Sequence, residues 1–123
     1  MTDRLLRALE CPHLKTLGHP TGRLLLHRDG YPYDFERVVA EAVRRNVAFE
    51  INASPERLDL NGALIRQAKA KGAKFTIATD AHHPKHLRNM PYGVMTARRG
   101  WLTAEDVMNT RKVEEFAEAL TRR

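Results

Sequence analysis

A carboxylate and an imidazole stand two residues apart at Asp80 and His82, and this pair has the plainest capacity for chemistry in the sequence. In an extended segment, side chains at positions i and i+2 point the same way and lie about 6.5 Å apart. Such a pair can bind one metal ion, or two neighbouring ions, and act through them in catalysis. The tripeptide also occurs by chance, but its place after the β-rich residues 73–79 favours metal binding.

His19 is a third candidate ligand, because it also follows a predicted strand. It stands between a glycine and a proline, and proline favours an extended conformation at the residue before it. A single histidine there is more often a structural hydrogen-bonding group, so its interest comes from sharing a rim with Asp80 and His82. His83 and His86 fall outside the register of that pair, and we expect them at the surface.

Four further side chains are candidates for substrate contact. Glu50 and Asn52 alternate with apolar residues on the second predicted strand, where a structural hydrogen-bond network is an equally good interpretation. Arg23 is placed to reach a phosphate, whose oxygens a guanidinium binds in pairs, although a solvated arginine is the commoner case. Arg98 lies close to Trp101, and the two could combine charge with stacking on nucleic acid; a lone tryptophan more often anchors packing.

Three short strands are predicted to position these groups, at residues 15–18, 47–52 and 73–79. In the second strand, Phe49 and Ile51 share one face while Glu50 and Asn52 share the other. The carboxyl ends of parallel strands meet at one edge of a sheet, where loops converge without disturbing the core. The sequence therefore predicts a functional site at that edge.

Helical periodicity separates the strands. We expect helices over residues 3–10, 35–46, 61–71, 86–99 and 112–121, with Asp34 as the N-cap of the second and Gly72 as the stop of the third. The last helix is expected to bury Val113, Phe116, Ala117 and Leu120. Alternating strands and helices favour an α/β fold of parallel βα units.

Composition narrows the class of protein. The chain has 123 residues, about one domain, and its 21 Lys and Arg against 15 Asp and Glu give a net charge of +6. This balance favours an anionic partner, but the charges are mixed along the chain and mark no patch. One cysteine, Cys11, excludes an internal disulfide and a multi-cysteine zinc site and favours a reducing cytoplasm.

We find no apolar run long enough for a membrane helix, no secretory signal, and none of the P-loop, nucleophile-elbow or H-E-x-x-H motifs.

The polar strand ends resemble a known family. In order, the segments Gly18-His19-Pro20, Glu50-Ile51-Asn52 and Thr79-Asp80-Ala81-His82 look like the later motifs of the PHP (polymerase and histidinol phosphatase) superfamily. More closely, residues 19–25, 92–94, 96–102 and 105–110 are similar to the C-terminal PHP domain of bacterial family X DNA polymerases. The similarity covers nearly the whole chain.

The resemblance implies a partial (β/α)7-type PHP barrel, with about three parallel βα units plus C-terminal helices over residues 1–123. It implies up to three Mn or Zn ions in the complete domain, with His19, Asp80 and His82 as ligands and Asp80 and His82 acting in catalysis through the metal. Glu50 and Asn52 correspond to a motif near that site. The implied activities are 3′–5′ exonuclease and 3′-end processing of DNA in repair.

The earlier motifs of the family, an H-x-H and further ligands, are absent from the sequence, as is a polymerase domain. We therefore expect the N-terminal half of the PHP domain as a partner, at most a partial metal site here, and a chain that is inactive alone and prone to self-association. Two other hypotheses stay open. The chain could be a non-catalytic remnant or docking subunit, or a small-molecule phosphatase of the histidinol-phosphate type, although the latter leaves residues 96–102 and 105–110 unexplained.

Overall fold

A computed structural model describes residues 1–121 and contains a three-stranded parallel sheet in the order β1-β2-β3. The strands are β1 (Thr16–Leu17), β2 (Ala48–Asn52) and β3 (Phe75–Ala78). All three lie within the predicted ranges and are shorter than expected, β1 most of all. The α/β class and the parallel order are confirmed, and these three strands form an open sheet.

In the described part of the chain, five α-helices accompany the sheet: α1 (Thr2–Leu9), α2 (Phe35–Arg44), α3 (Gly62–Ala70), α4 (Met90–Arg99) and α5 (Val113–Thr121). Three 3-10 turns lie at Pro84–Asn89, Ala104–Asp106 and Met108–Thr110. The helix predicted over residues 86–99 is thus a 3-10 turn followed by α4, and Pro91 stands at the start of α4, where its missing N–H costs nothing. Among residues 1–121, none of the helices is both long and apolar enough to cross a membrane.

Local side chains set the limits of the two crossover helices. The Asp34 carboxylate accepts the N–H of Arg37 at 3.1 Å, and the Asn61 side chain accepts the N–H of Leu64 at 2.9 Å. Each contact satisfies one backbone donor that a helix start leaves unpaired. Beyond the C-terminus of α3, Gly72 has φ +86°, a conformation that glycine adopts without steric cost. The predicted N-cap and stop are confirmed.

The hydrophobic core lies on one face of the sheet, between the strands and α2 and α3. Phe49, Ile51 and Phe75 on the strands are fully buried and pack in one cluster with Val38 of α2 and Ile65 of α3. Burying each of these large side chains stabilises the fold by about 2 kcal/mol. The opposite face combines the polar side chains of Thr16, Glu50 and Asn52 with the small, buried Ala48. The core therefore fixes the strands and leaves the other side of β2 free for polar groups.

Helix α4 approaches the end of the sheet closely at Gly93. A Cβ at this position would lie 2.5 Å from Cγ2 of Ile77 and 2.8 Å from Cβ of Ala53, well inside contact distance. Glycine therefore lets α4 pack directly on β3 and on the residue after β2, and this contact holds the loop between β3 and α4.

The C-terminal helix corrects one expectation. Val113 is 70% exposed and Ala117 is exposed, while Phe116 and Leu120 are half-buried, so the predicted burial of all four is wrong. Helix α5 lies against the 3-10 turn Met108–Thr110, and none of its described residues is fully buried.

Candidate functional site

The ends of β2 and β3 and the segment after β1 meet in one hydrogen-bond network. The Asn52 side chain donates from Nδ2 to Asp80 Oδ2 at 3.1 Å and to Glu50 Oε2 at 3.3 Å. The same Glu50 oxygen accepts the backbone N–H of His19 at 2.5 Å. The structure thus brings Glu50, Asn52 and Asp80 together at the edge where the sequence predicts a site.

Asn52 is the centre of this network. Its side chain is fully buried, and its Oδ1 accepts the backbone N–H of Ser54 at 3.0 Å in addition to the two donations from Nδ2. A buried amide with these partners has its hydrogen-bonding groups committed to the protein. Asn52 is therefore suited to orient Asp80.

Asp80 carries a second contact, with Arg57. Its Oδ2 lies 3.8 Å from Nε of Arg57, whose side chain is 19% exposed. Asp80 also has φ +53°, an uncommon conformation for a residue other than glycine. The amide of Asn52 and the guanidinium of Arg57 thus both contact Oδ2 of the carboxylate. The sequence did not identify Arg57 as a site residue, because nothing local distinguishes it from other surface arginines.

His82 presents one ring nitrogen outward. Its Nδ1 lies 2.7 Å from the backbone carbonyl oxygen of Asp80. A carbonyl oxygen only accepts hydrogen bonds, so Nδ1 carries a proton, and in the neutral ring Nε2 carries the lone pair. The side chain is 79% exposed. A histidine whose other nitrogen donates to a carbonyl is in the tautomer that metal-binding histidines use.

His83 and His86 have the opposite hydrogen-bond pattern. Nδ1 of His86 accepts the backbone N–H of His82 at 3.1 Å, and Nδ1 of His83 accepts the backbone N–H of Lys85 at 3.1 Å. In the neutral ring the lone pair at Nδ1 is thus occupied and Nε2 carries the proton. This pattern supports the interpretation that neither is a ligand, with His86 shaping the loop that carries His82.

His19 departs from its expected conformation. Its φ is +30°, so the expectation of an extended residue before Pro20 is wrong. The exposed imidazole lines a hollow with Leu17 and Tyr31, away from the groove beside Asp80. His19 joins the network through its backbone N–H, and its side chain does not gather with Asp80 and His82.

The segment after His19 is held by a buried carboxylate that the sequence did not single out. Asp59 Oδ2 accepts the N–H groups of Thr21 and Gly22, each at 3.0 Å. Burial raises the pKa of Asp59, and these hydrogen bonds and the nearby Arg23 guanidinium offset only part of that rise. No periodicity or motif distinguishes this aspartate.

Arg23 and Arg98, the predicted phosphate contacts, lie in different places. Arg23 donates from Nε to the carbonyl oxygen of Arg57 at 2.7 Å and from Nη2 to that of Leu58, so it braces the loop behind Asp80. Arg98 is exposed in the last turn of α4, at the opposite end of that helix from the Asp80 loop.

Asp80 and His82 line an open groove of about 590 Å³, together with Arg57, Ser54, His86 and Asn89 among others. The groove offers a carboxylate, an imidazole lone pair and a guanidinium, which suits a phosphate-containing ligand. A carboxylate and an imidazole are ligand types that Mn and Zn accept, but Asp80 and His82 are only two ligands, too few to hold either ion. Within residues 1–121, no three side chains of the metal-binding types form a group able to hold an ion. A structural or catalytic zinc site needs at least three protein ligands.

A parallel βα sheet with polar groups at the carboxyl ends of its strands is the architecture of α/β enzymes. The comparisons with known proteins agree. Over 119 residues, 97% of its length, the chain is 39% identical to the DNA polymerase/3′-5′ exonuclease PolX of Bacillus subtilis. It is also 33% identical over 96% of its length to a probable phosphatase of Clostridium acetobutylicum, and 34% identical over 66% to one of Vibrio atlanticus.

The chain therefore belongs with the PHP regions of family X DNA polymerases and corresponds to the C-terminal part of that region. It spans 21% of the Bacillus protein, 49% of the Clostridium protein and 33% of the Vibrio protein. No protein-family model matches the chain.

Proposed function

We propose that this chain supplies one side of a metal-dependent phosphoesterase site that acts on DNA 3′ ends, as a 3′–5′ exonuclease and 3′-end processing domain. The observation that carries the proposal is the fixed Asp80 carboxylate beside the outward Nε2 of His82. The similarity to a polymerase with 3′-5′ exonuclease activity supports the reaction class. The cytoplasm is the compartment that this substrate implies.

Each residue has a distinct role in the proposed site. Asp80 and His82 contribute ligands for Mn or Zn, and His19 contributes a third once its side chain, which does not gather with them in this chain, turns towards the ion. The remaining ligands come from a PHP segment outside this chain, which would also complete the barrel. Such an ion supplies Lewis-acid catalysis when bound. Asn52 and Glu50 hold Asp80 and the His19 backbone.

The cationic side chains account for substrate binding in the proposal. Arg57 faces the groove next to Asp80, where its guanidinium can pair with phosphate oxygens of the DNA strand. Arg23 braces the loop that carries Arg57, and Arg98 contacts DNA further from the scissile phosphate. The chain alone is proposed to be inactive, because it offers fewer than three gathered ligands.

The experiment is a complementation in trans. The purified chain is mixed with the segment of the Bacillus subtilis polymerase that precedes the matched region, with Mn²⁺ present, and release of a 3′-terminal label from an oligonucleotide is followed. We expect no digestion by either part alone and digestion by the mixture, abolished by Asp80→Ala. Digestion by the chain alone, or a mixture that Asp80→Ala leaves active, would contradict the proposal.

A small-molecule phosphatase is the second candidate, because two of the relatives named above are probable phosphatases that match 96% and 66% of this chain. The same mixture is assayed on p-nitrophenyl phosphate and on the 3′-labelled oligonucleotide. A preference for the oligonucleotide supports the first function, and hydrolysis of the small ester alone supports the second. If the mixture forms a complex that hydrolyses neither, the chain is a non-catalytic docking subunit.

A further inference from the structure

Trp101, the single tryptophan of the chain, is 69% exposed just after the end of α4. The guanidinium carbon of Arg66 lies 4.7 Å from the centre of its ring, within the range of a cation–π contact. With so much of the residue exposed, this contact leaves the rest of the indole open to solvent. The fold thus presents a largely exposed indole ring on which Arg66 stacks.

Several contacts hold the turn that carries Trp101. Trp101 has φ +62°, which is unusual for a bulky residue, and Lys69 Nζ donates to its carbonyl oxygen at 2.6 Å. Arg66 Nη1 donates to the carbonyl oxygen of Arg99 at 2.9 Å, so the same side chain tethers the turn and stacks on the ring. Gly100 allows this turn, because a Cβ there would lie 2.1 Å from Cγ2 of Ile65.

The surroundings of the ring are cationic. Arg98 and Arg99 immediately precede the turn and are exposed, and Arg66 covers the ring itself. Lys69, which donates to the Trp101 carbonyl oxygen, also pairs with the Asp106 carboxylate at 3.2 Å, and this carboxylate accepts the N–H of Thr103 at 2.8 Å. The open aromatic face is therefore flanked by positive charge, and the adjacent carboxylate already has its partners.

We propose that Trp101 and Arg66, with Arg98 and Arg99, form a stacking site for single-stranded nucleic acid. Unpaired bases stack on aromatic rings irrespective of sequence, while arginines hold the phosphates beside them. A duplex hides its base faces within the stack, so the site selects single strands.

This site is separate from the groove that contains Asp80. Helix α3 connects β2 to the parallel β3, so its C-terminal end, with Lys69, lies at the edge of the sheet where β3 begins. Asp80 follows the other end of β3. The proposal shares the Arg98 contact with the proposed function, adds a stacking surface for unpaired bases to it, and does not depend on the phosphoesterase activity. Its test therefore uses binding in EDTA, where metal-dependent hydrolysis is stopped.

The test uses the intrinsic fluorescence of Trp101. The purified chain is titrated in EDTA with a 20-nucleotide oligo(dT), with oligo(rU) of the same length, and with a 20-base-pair duplex. We expect saturable quenching by one or both single strands, and at least fivefold weaker binding of the duplex. Unchanged emission at saturating single strand, or equal affinity for the duplex, would overturn the proposal.

Variants locate the contact by the anisotropy of a labelled oligo(dT). Trp101→Ala and Arg66→Gln should each weaken binding at least fivefold, while Trp101→Phe, which keeps an aromatic ring, should weaken it less than Trp101→Ala. Arg37→Gln makes the same charge change at an exposed position of α2. It is the matched control and should change affinity less than twofold. Circular dichroism checks the folding of each variant. Parental affinity in both Trp101→Ala and Arg66→Gln would show that the ring is not a binding surface, and the quenching measurement stands even if a variant fails to fold.

Discussion

The two parts of the candidate site differ in how far their hydrogen bonds are already made. On the β2 side, Asn52 is fully buried and bonds to Glu50, Asp80 and Ser54. On the loop after β3, His82 is 79% exposed and keeps Nε2 without a partner among the described residues. The first part is built into the folded chain, whereas the second is open.

This difference separates stability from activity. Removal of a buried amide side chain leaves the polar groups that it contacted without hydrogen-bond partners, which destabilises the fold. An exposed imidazole with one hydrogen bond adds little to stability, and its outward Nε2 is open to a ligand. Substitutions on the two sides should therefore differ in their effects on the hydrolysis rate and on the free energy of unfolding.

Substitution on the open side should have the largest effect on activity. In the complemented protein, His82→Ala should lower the 3′-end hydrolysis rate at least about 100-fold. Removing a residue that supports a metal ligand costs up to about 100-fold, and removing the ligand itself should cost no less. The free energy of unfolding should change by less than about 0.5 kcal/mol, as for most surface substitutions. His86→Ala is the control, because its Nδ1 is already engaged, and should retain activity within a few-fold. Equal losses of rate in the two variants would refute the assignment of His82.

Substitution on the built side should affect both quantities. Asn52→Ala should lower the rate by about 10- to 100-fold, because Asp80 loses its amide donor, and should destabilise the chain by about 1–3 kcal/mol.

Asn109 provides a matched control for Asn52. Its side chain also bridges backbone groups, accepting the N–H of Ile77 at 3.0 Å and donating to the carbonyl oxygen of Ile77 at 2.8 Å, but it does not contact Asp80. Asn109 is itself exposed, so Asn109→Ala should destabilise the chain less than Asn52→Ala and should keep the rate. Urea unfolding and the hydrolysis assay separate the cases. If both variants lose activity in proportion to stability, Asn52 has no positioning role.

A smaller effect concerns the buried carboxylate of Asp59. Its pKa is raised in the folded state, so folding favours the protonated form. This contribution to stability is present below the unfolded pKa of about 3.9 and is lost as pH rises through the raised folded value. Relative to Asp59→Asn, which does not titrate, the free energy of unfolding of the parent should fall as the pH rises above about 4. Parallel stability profiles of the two proteins in urea would contradict the raised pKa.

Local patterns made much of the fold predictable. The alternation of Phe49 and Ile51 with Glu50 and Asn52 assigns the two faces of β2, and Asp34 and Gly72 mark helix limits through contacts within a few residues. Because parallel strands bring their carboxyl ends to one edge, the meeting of Asn52 with Asp80 follows from this topology without knowledge of the side-chain contacts.

The parts that the sequence did not predict depend on distant contacts. Asp59 bonds to Thr21 and Gly22 across nearly forty residues, and Arg57 approaches Asp80 only after two loops have folded together. Val113 shows a further limit. Its helical periodicity predicts α5 well, but whether the apolar side is covered depends on which surface packs there.

The central claim is that Asp80 and His82 belong to a metal site completed by another segment of a PHP domain. The most direct test counts Mn or Zn per chain after gel filtration, for the chain alone and for its complex with the preceding segment of the Bacillus subtilis polymerase. The account predicts little retained metal on the chain alone, at least one ion per complex, and loss of that ion in Asp80→Ala. Stoichiometric, tightly bound metal on the chain alone, or metal retained by the Asp80→Ala complex, would contradict it.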